Sequence, residues 1–352
     1  MALTRIPGQE RAVARLEAAL RCGRTSHAYL LVGPAGVGRL DLARELAAAL
    51  LCREGEAGKC DRCESCRALA AGTHPDYEEV GVQEGAQKIK LEQIRRDPKK
   101  PEKAPGIQDV AALKPLVSAR RVFVIRDAEN MTPEAANCFL KTLEEPPGGA
   151  CFILIAAGLW DLPETIVSRC QVVKLAGLPA ALVREFLNRD GVSQDDAWWL
   201  AHRTWGSPGL ARAFAQMGLP ALNRELAEAV LELGPEGVMR LTDRLCEQAG
   251  RGEESRRPSR PLVQELLECL VLLYRDAAVI TVAGDEVELF NTALREPLEA
   301  FAARCSADLL IDCTDRVLDA IDRIGGNANI TLALDDLFAA LARPAESRGP
   351  RA

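Results

Sequence analysis

The sequence predicts an α/β domain built on a doubly wound parallel sheet, followed by a small helical lid and an all-α C-terminal domain. Between residues 28 and 175, short apolar segments alternate with helical patterns, as expected when helices connect parallel strands. The first apolar segment leads into a glycine-rich loop, and beyond Gly177 the periodicity is helical throughout. The predicted boundaries are residues 1–176, 177–218 and 219–342, with a loose tail at 343–352.

The elements of the α/β domain follow from local patterns. A helix is expected over residues 5–21, a second one after the glycine loop, and a third over Pro133–Leu143. Residues 73–77 are expected to form a turn. Four apolar runs predict strands: Ala28–Val32, Arg121–Ile125, Cys151–Ala157 and Val172–Leu175.

The glycine loop, which runs from Gly33 to Leu40, has the spacing of a P-loop. Glycines in such loops let backbone N–H groups converge on phosphate oxygens at a helix N-terminus. Arg39 stands where a lysine contacts the terminal phosphates, and Leu40 stands where a hydroxyl holds magnesium. We therefore expect Gly33, Gly36, Gly38 and Arg39 to form a degenerate phosphate loop at which ATP is doubtful. An ordinary glycine turn is the alternative.

Four cysteines predict a metal site. Cys52, Cys60, Cys63 and Cys66 follow the spacing C-x7-C-x2-C-x2-C within the segment 52–66. Four thiolates in one compact loop suit a closed tetrahedral zinc site, which would be structural because no ligand position stays open. Reduced thiols without metal are one alternative, and an iron–sulfur cluster is another.

Charge and hydropathy restrict the function class. The 352 residues carry a formal net charge of −7, which argues against a surface that binds polyanions all over. The segment 88–121 nevertheless holds ten basic residues against four acidic ones, which predicts a solvated loop or a contact with DNA phosphate or an acidic partner. Neither a leader nor an apolar run of about 18 residues is evident, so we expect a cytoplasmic protein without a membrane span.

Acidic residues follow the strand at Arg121–Ile125. Asp127 and Glu129 come at its carboxyl end, where open parallel sheets place ligand groups. Carboxylates at this place ordinarily hold magnesium or activate water.

Several short motifs occur in a fixed order between residues 6 and 170. They are Ile6-Pro7-Gly8-Gln9, Ser26-His27-Ala28-Tyr29, the glycine loop, the four cysteines, Gly72-Thr73-His74-Pro75-Asp76, the segment from Asn137 to Pro147 and Ser168-Arg169-Cys170. In this order they make the chain resemble the bacterial clamp-loader branch of the AAA+ ATPases. The second half resembles that family mainly in layout, with a helical lid followed by a helical collar.

The resemblance implies a subunit of a five-membered ring that opens the sliding clamp and places it on primed DNA during replication. ATP lies between neighbouring subunits of such a ring, and the arginine of the Ser-Arg-Cys motif reaches into the next subunit's site. Arg169 would then act in trans as an arginine finger. The implied partners are the motor (gamma/tau-type) and delta subunits of the loader, together with the sliding clamp and primed DNA.

Departures from the motor subunits indicate which role the chain has. When positions are counted with the spacing found in the motor subunits, Arg126 occupies the position of their magnesium-binding aspartate. Asp127 occupies the position of their catalytic glutamate. The strand ending at Ala157 lacks the sensor threonine, and the segment 206–209 has glycine where motor subunits carry a sensor arginine. Each loss of a preorganised group costs about 10²- to 10³-fold in rate.

These observations favour a ring-completing subunit that does not hydrolyse ATP and has no catalytic activity of its own. The alternative is an active motor-type AAA+ ATPase in which Arg39 substitutes for lysine. A pure scaffold is the third possibility, and the intact Arg169 argues against it.

Overall fold

The computed structural model describes residues 6–55, 58–83, 86–96, 104–250, 258–283, 287–326 and 328–342. These residues divide into two compact units. One lies within Met1–Val183 and Thr204–Leu210, and the other lies within Arg184–Arg203 and Ala211–Ala352. The predicted division at residues 176 and 218 stays a prediction, and the tail at 343–352 lies outside the described residues.

The first unit is built on a five-stranded sheet in which all neighbouring strands run parallel, in the order β2-β3-β4-β1-β5. This confirms the predicted parallel sheet. The strands are β1 (Ala28–Val32), β2 (Tyr77–Val80), β3 (Arg121–Ile125), β4 (Ala150–Ala156) and β5 (Gln171–Lys174).

Strand β2 is absent from the sequence-based prediction. It lies at the edge of the sheet, and its four residues are only partly buried. Because Glu78 and Glu79 interrupt the apolar pattern, the segment carries no strand signal, and the turn predicted at residues 73–77 ends where β2 begins.

Helices cover both faces of the sheet. Alternate strand residues such as Leu31 and Leu30 point into two separate apolar cores, as a doubly wound sheet requires. On one face Leu42 and Leu46 pack over the strands, and on the other Phe139 packs edge-on against Phe152 at 5.3 Å. The helices are α1 (Glu10–Arg21), α2 (Arg39–Leu51), α3 (Glu64–Ala70), α4 (Leu91–Ile94), α5 (Ile107–Ala111), α6 (Pro133–Glu144) and α7 (Glu164–Val167).

The described residues beyond Gly177 form helices without a strand, as predicted. In the second unit, Leu310, Val317 and Ile324 lie on the predicted apolar face of one helix and are buried, whereas Ile321 is half-buried. No helix in the described ranges has the length and apolar character needed to cross a membrane. The helices are α8 (Ala180–Arg189), α9 (Gln194–Arg203), α10 (Pro208–Gln216), α11 (Leu219–Leu231), α12 (Val238–Ala249), α13 (Arg260–Ala283), α14 (Arg295–Ala302), α15 (Ala307–Gly325) and α16 (Ile330–Leu341).

Candidate functional site

The glycine loop connects β1 to α2, and each of its three glycines lies so close to other residues that a side chain would collide with them. A Cβ on Gly33 would lie 2.4 Å from the Leu175 carbonyl oxygen, and a Cβ on Gly36 would lie 2.4 Å from Ser207 Oγ. Gly36 and Gly38 also have φ angles of 73° and 94°, in a region that costs other residues about 1–2 kcal/mol. The shape of the loop therefore requires these glycines.

The loop presents backbone donors in the manner of a phosphate cradle. Within the part of the chain that the structure describes, the backbone N–H groups from Gly36 to Asp41 have no hydrogen-bond partner. The last four of these groups, from Gly38 to Asp41, belong to the N-cap and the first three residues of α2. This helix has 13 residues, and its N-terminus carries a partial positive charge. The main chain of the loop thus keeps the features with which P-loops hold phosphate.

Arg39, the first residue of α2, interacts electrostatically with the acidic residues that follow β3. Burial lowers the pKa of its guanidinium, whereas the charges of Glu129 and Asp127 act to raise it. Glu129 Oε1 accepts a hydrogen bond from the Ala157 N–H at 3.2 Å. Arg39 Nη1 and Glu129 Oε2 are buried, and neither has a hydrogen-bond partner among the described residues. The structure brings Arg39 close enough to Asp127 and Glu129, the two acidic residues expected at the end of β3, for their charges to act on its guanidinium.

Arg126 follows β3 directly and contacts the edge strand. Its Nε lies 3.2 Å from Glu79 Oε1, and Glu79 also accepts hydrogen bonds from Arg44 Nη2 at 3.0 Å and from the Tyr77 hydroxyl at 3.0 Å. Burial and the nearby Glu79 carboxylate raise the pKa of Tyr77 to about 12, which keeps this hydroxyl protonated as a donor. A guanidinium cannot ligate a cation, so this position offers no metal ligand.

The segment 204–210 packs against the glycine loop within the same unit. The Gly209 N–H donates a hydrogen bond to the Gly36 carbonyl oxygen at 3.1 Å, and Ser207 Oγ accepts one from the Leu210 N–H at 3.1 Å. Gly206 has a φ of 82°, and a Cβ there would lie 2.2 Å from the Leu178 carbonyl oxygen. The segment therefore reaches the loop through its backbone and a hydroxyl, without a cationic side chain.

Arg169 follows α7, and its guanidinium is held on two sides. Nη2 lies 2.6 Å from Glu144 Oε1, and Nη1 donates to the Thr165 carbonyl oxygen at 3.0 Å. The side chain remains 35% exposed, so other molecules can still reach it. The neighbouring Cys170 is more protected, and burial raises the pKa of its thiol to about 12. Arg169 is thus an accessible cation with a defined orientation.

The four predicted cysteine ligands come together in the structure. Their Sγ atoms all lie within 4.8 Å of one another, and the pairs Cys52–Cys63 and Cys60–Cys66 are each separated by 4.0 Å. Tetrahedral zinc with bonds of about 2.3 Å would hold its sulfur ligands roughly 3.8 Å apart. The cluster therefore fits a closed zinc site with four thiolates.

Backbone N–H groups donate hydrogen bonds to three of the four sulfurs, which favours the thiolate form at those positions. The N–H groups of Gly55, Cys63 and Cys66 donate to the sulfurs of Cys52, Cys60 and Cys63 at 3.2, 3.3 and 3.4 Å. Burial opposes ionisation of the Cys63 thiol, but hydrogen bonds from the N–H groups of Cys66 and Arg53 and from the neighbouring thiols of Cys60 and Cys66 outweigh it and lower its pKa to about 6. Thiolate is the form that binds zinc.

His74 is not a ligand of this cluster. It is buried, its Nε2 lies 2.6 Å from Ser65 Oγ, and its Nδ1 accepts a hydrogen bond from the Asp76 N–H at 3.0 Å. The Asp76 carboxylate in turn accepts hydrogen bonds from the N–H groups of three successive residues, Leu116, Val117 and Ser118. This network joins the cysteine segment to the sheet.

The basic segment is described only in part. Lys88 Nζ donates to Asn130 Oδ1 at 3.4 Å, and Lys90, Arg95 and Arg96 line a cleft beside the start of α6. Lys99, Lys100 and Lys103 lie outside the described residues. A contact of this segment with DNA phosphate stays a prediction.

Comparisons with known proteins identify relatives of this chain. A family model described as "DNA polymerase III, delta subunit" matches residues 8–179. The "DNA polymerase III subunit delta'" of Bacillus subtilis is 29% identical over 94% of this chain and 94% of its own length. The protein of the same name from Pseudomonas aeruginosa is 37% identical, but the match covers 59% of this chain and 61% of that protein. The "DNA polymerase III subunit tau" of Escherichia coli is 30% identical over 83% of this chain and 46% of its own length.

These matches support a clamp-loader-type subunit of DNA polymerase III, a class that the parallel sheet and the glycine loop also suggest. In particular, the chain is similar to the delta-prime subunits of DNA polymerase III.

Proposed function

We propose that this chain is a delta-prime-like subunit of a DNA polymerase III clamp loader that completes the loader ring without hydrolysing ATP. In this role it acts beside motor (gamma/tau-type) and delta subunits, and through the assembled ring on the sliding clamp and primed DNA. Replication of the bacterial chromosome places this activity in the cytoplasm.

The state of the chain's own site supports the absence of hydrolysis. The backbone cradle is present, but Leu40 and Arg126 stand where a hydroxyl and a carboxylate would hold magnesium. Without those ligands, a metal ion has little to fix it against phosphate oxygens, and the charge of the transition state stays unneutralised. Arg39 and the N–H donors could still bind phosphate weakly, so binding and hydrolysis are separate questions.

The observation that carries the proposal is the contrast between this site and Arg169. The Arg169 guanidinium is accessible and oriented, as a group that acts on another subunit's ATP must be. When ATP is bound in that neighbouring site, its hydrolysis develops charge on the transferred phosphoryl group. The N–H donors of Arg169 would neutralise this charge in trans.

Zinc at Cys52, Cys60, Cys63 and Cys66 would have a structural role. The four sulfurs leave no position for water, so the metal would order the segment between α2 and α3 rather than take part in catalysis.

The proposal is tested by Arg169→Ala in a loader whose motor subunits lack their own trans arginines. Phosphate release then reports only the site that receives Arg169. We expect a fall in turnover of about 10³-fold or more, the low end of what an arginine finger contributes, with the melting temperature of the chain unchanged. Unchanged turnover would remove the trans role.

An active motor-type ATPase remains the second candidate, because the free backbone donors and Arg39 keep part of a nucleotide site. Sustained phosphate release by the isolated chain would favour it.

A further inference from the structure

Glu144 and Arg169 form an ion pair between two elements of the first unit. Glu144 is the last residue of α6, and its Oε1 lies 2.6 Å from Arg169 Nη2. A carboxylate at this end of a helix is electrostatically unfavourable, because the helix dipole places partial negative charge there. The position is therefore poor for a glutamate unless a cation offsets it, and Arg169 is that cation.

We infer that Glu144 is a positioning residue that holds the Arg169 side chain in the orientation needed to meet a neighbouring subunit's ATP. This inference rests on the proposed function. It adds a specific residue, within the chain, on which the effectiveness of Arg169 depends.

The two anchors of Arg169 come from well-packed helices. Leu143 precedes Glu144 and is 1% exposed, and Ile166 in α7 is fully buried beside the carbonyl of Thr165. An arginine that is free in solution loses much rotamer entropy when it is fixed at an interface. Because Glu144 and the Thr165 carbonyl already hold both Nη atoms, the Arg169 side chain has less rotamer entropy left to lose when the neighbouring subunit binds.

The anchors also leave donors for phosphate. A guanidinium has five N–H groups. Glu144, the Thr165 carbonyl and Ser168 Oγ take up three of them, at 2.6, 3.0 and 3.4 Å. Two remain for phosphoryl oxygens, so the ion pair and the trans role are compatible.

The ion pair has little importance for folding. The Arg169 and Glu144 side chains are 35% and 50% exposed, and exposed ion pairs contribute little to stability. An effect of Glu144 on turnover would therefore not arise from loss of the fold.

The test is a double-mutant cycle in the loader in which only the site facing Arg169 turns over. Glu144→Ala should lower kcat about tenfold while the KM for ATP changes less than twofold, because the misplaced group acts on the transition state. In the Arg169→Ala background, Glu144→Ala should cause no further loss. Glu145→Ala is the matched control, since this exposed neighbour has no part in the pair, and it should keep full turnover.

The outcomes separate the two proposals. If Glu144→Ala lowers turnover equally in the unaltered chain and in the Arg169→Ala background, Glu144 has a general structural role and the inference is overturned. A wild-type kcat in the Glu144→Ala single variant would also overturn it. Absence of any effect of Arg169→Ala would instead overturn the proposed function. If Glu144→Ala impairs assembly, Glu144→Gln keeps the shape and removes the charge, and it should lower kcat in the same direction by a smaller factor.

Discussion

The glycine loop and the Arg169 region of the first unit differ in what each retains of an ATPase. The loop keeps its backbone, with constrained glycines and free N–H groups, but its side chains no longer match those of a hydrolysing site. Around Arg169 the opposite holds, because the side chain that the proposed trans role needs is present and accessible, and two neighbouring helices hold its guanidinium.

This difference indicates which features of a site the fold itself preserves. Packing requires a glycine at residue 36, because Ser207 and Leu210 lie where its side chain would be. This requirement does not depend on whether the site hydrolyses ATP. No such packing requires a lysine at residue 39 or a hydroxyl at residue 40. An accessible side chain such as Arg169, which stability does not demand, is therefore better evidence of function than a loop whose glycines are required by packing.

The largest expected effect concerns the cysteine cluster, where, as at Arg169, all the side chains that the proposed role needs are present. Cys63→Ser should reduce zinc in natively purified protein from one equivalent per chain to well below one, and lower the melting temperature. A structural zinc supplies about 10–16 kcal/mol of binding free energy, of which several kcal/mol would be lost with one ligand. Metal analysis and thermal unfolding measure both changes, with Cys22→Ser as control because Cys22 is exposed outside the cluster. Absence of zinc in the unaltered protein would contradict the assignment.

A smaller effect is expected at the loop itself. Gly36→Ala should destabilise the chain by about 1–3 kcal/mol, because a Cβ would add strain at a positive φ and collide with Ser207 and the Leu210 backbone. Gly23 also has a positive φ, of 64°, but nothing lies within 4 Å of its Cβ position. Urea unfolding should therefore show a smaller loss for Gly23→Ala. Equal losses would mean that packing on the loop contributes nothing.

The smallest expected effect is at residue 39. Arg39→Lys restores the P-loop lysine, yet it should not produce ATP hydrolysis by the isolated chain, because Leu40 and Arg126 still leave magnesium without its ligands. Phosphate release from the variant should equal that of the unaltered chain. Hydrolysis by the variant would show that the site is one substitution from activity and would weaken the comparison.

Regular, local patterns made most of the fold predictable. Four of the five strands carry apolar runs, the cysteine spacing placed four sulfurs together, and the glycine spacing located the loop. Strand β2 escaped prediction because an edge strand with Glu78 and Glu79 needs no continuous apolar run.

The remaining site features depend on contacts between distant segments. The approach of Ser207 to Gly36, the proximity of Glu129 to Arg39 and the pairing of Glu144 with Arg169 each join residues separated by more than twenty positions. No short motif encodes such pairs, so only the folded chain reveals them.

The most direct test of the central claim is a calorimetric titration of the purified chain with ATP and magnesium, with phosphate release followed in the same samples. We expect no hydrolysis, whether or not weak binding is detected. Sustained hydrolysis by the isolated chain would contradict the proposed function, because Arg39 and Asp127 would then perform chemistry that we assign to neighbouring subunits.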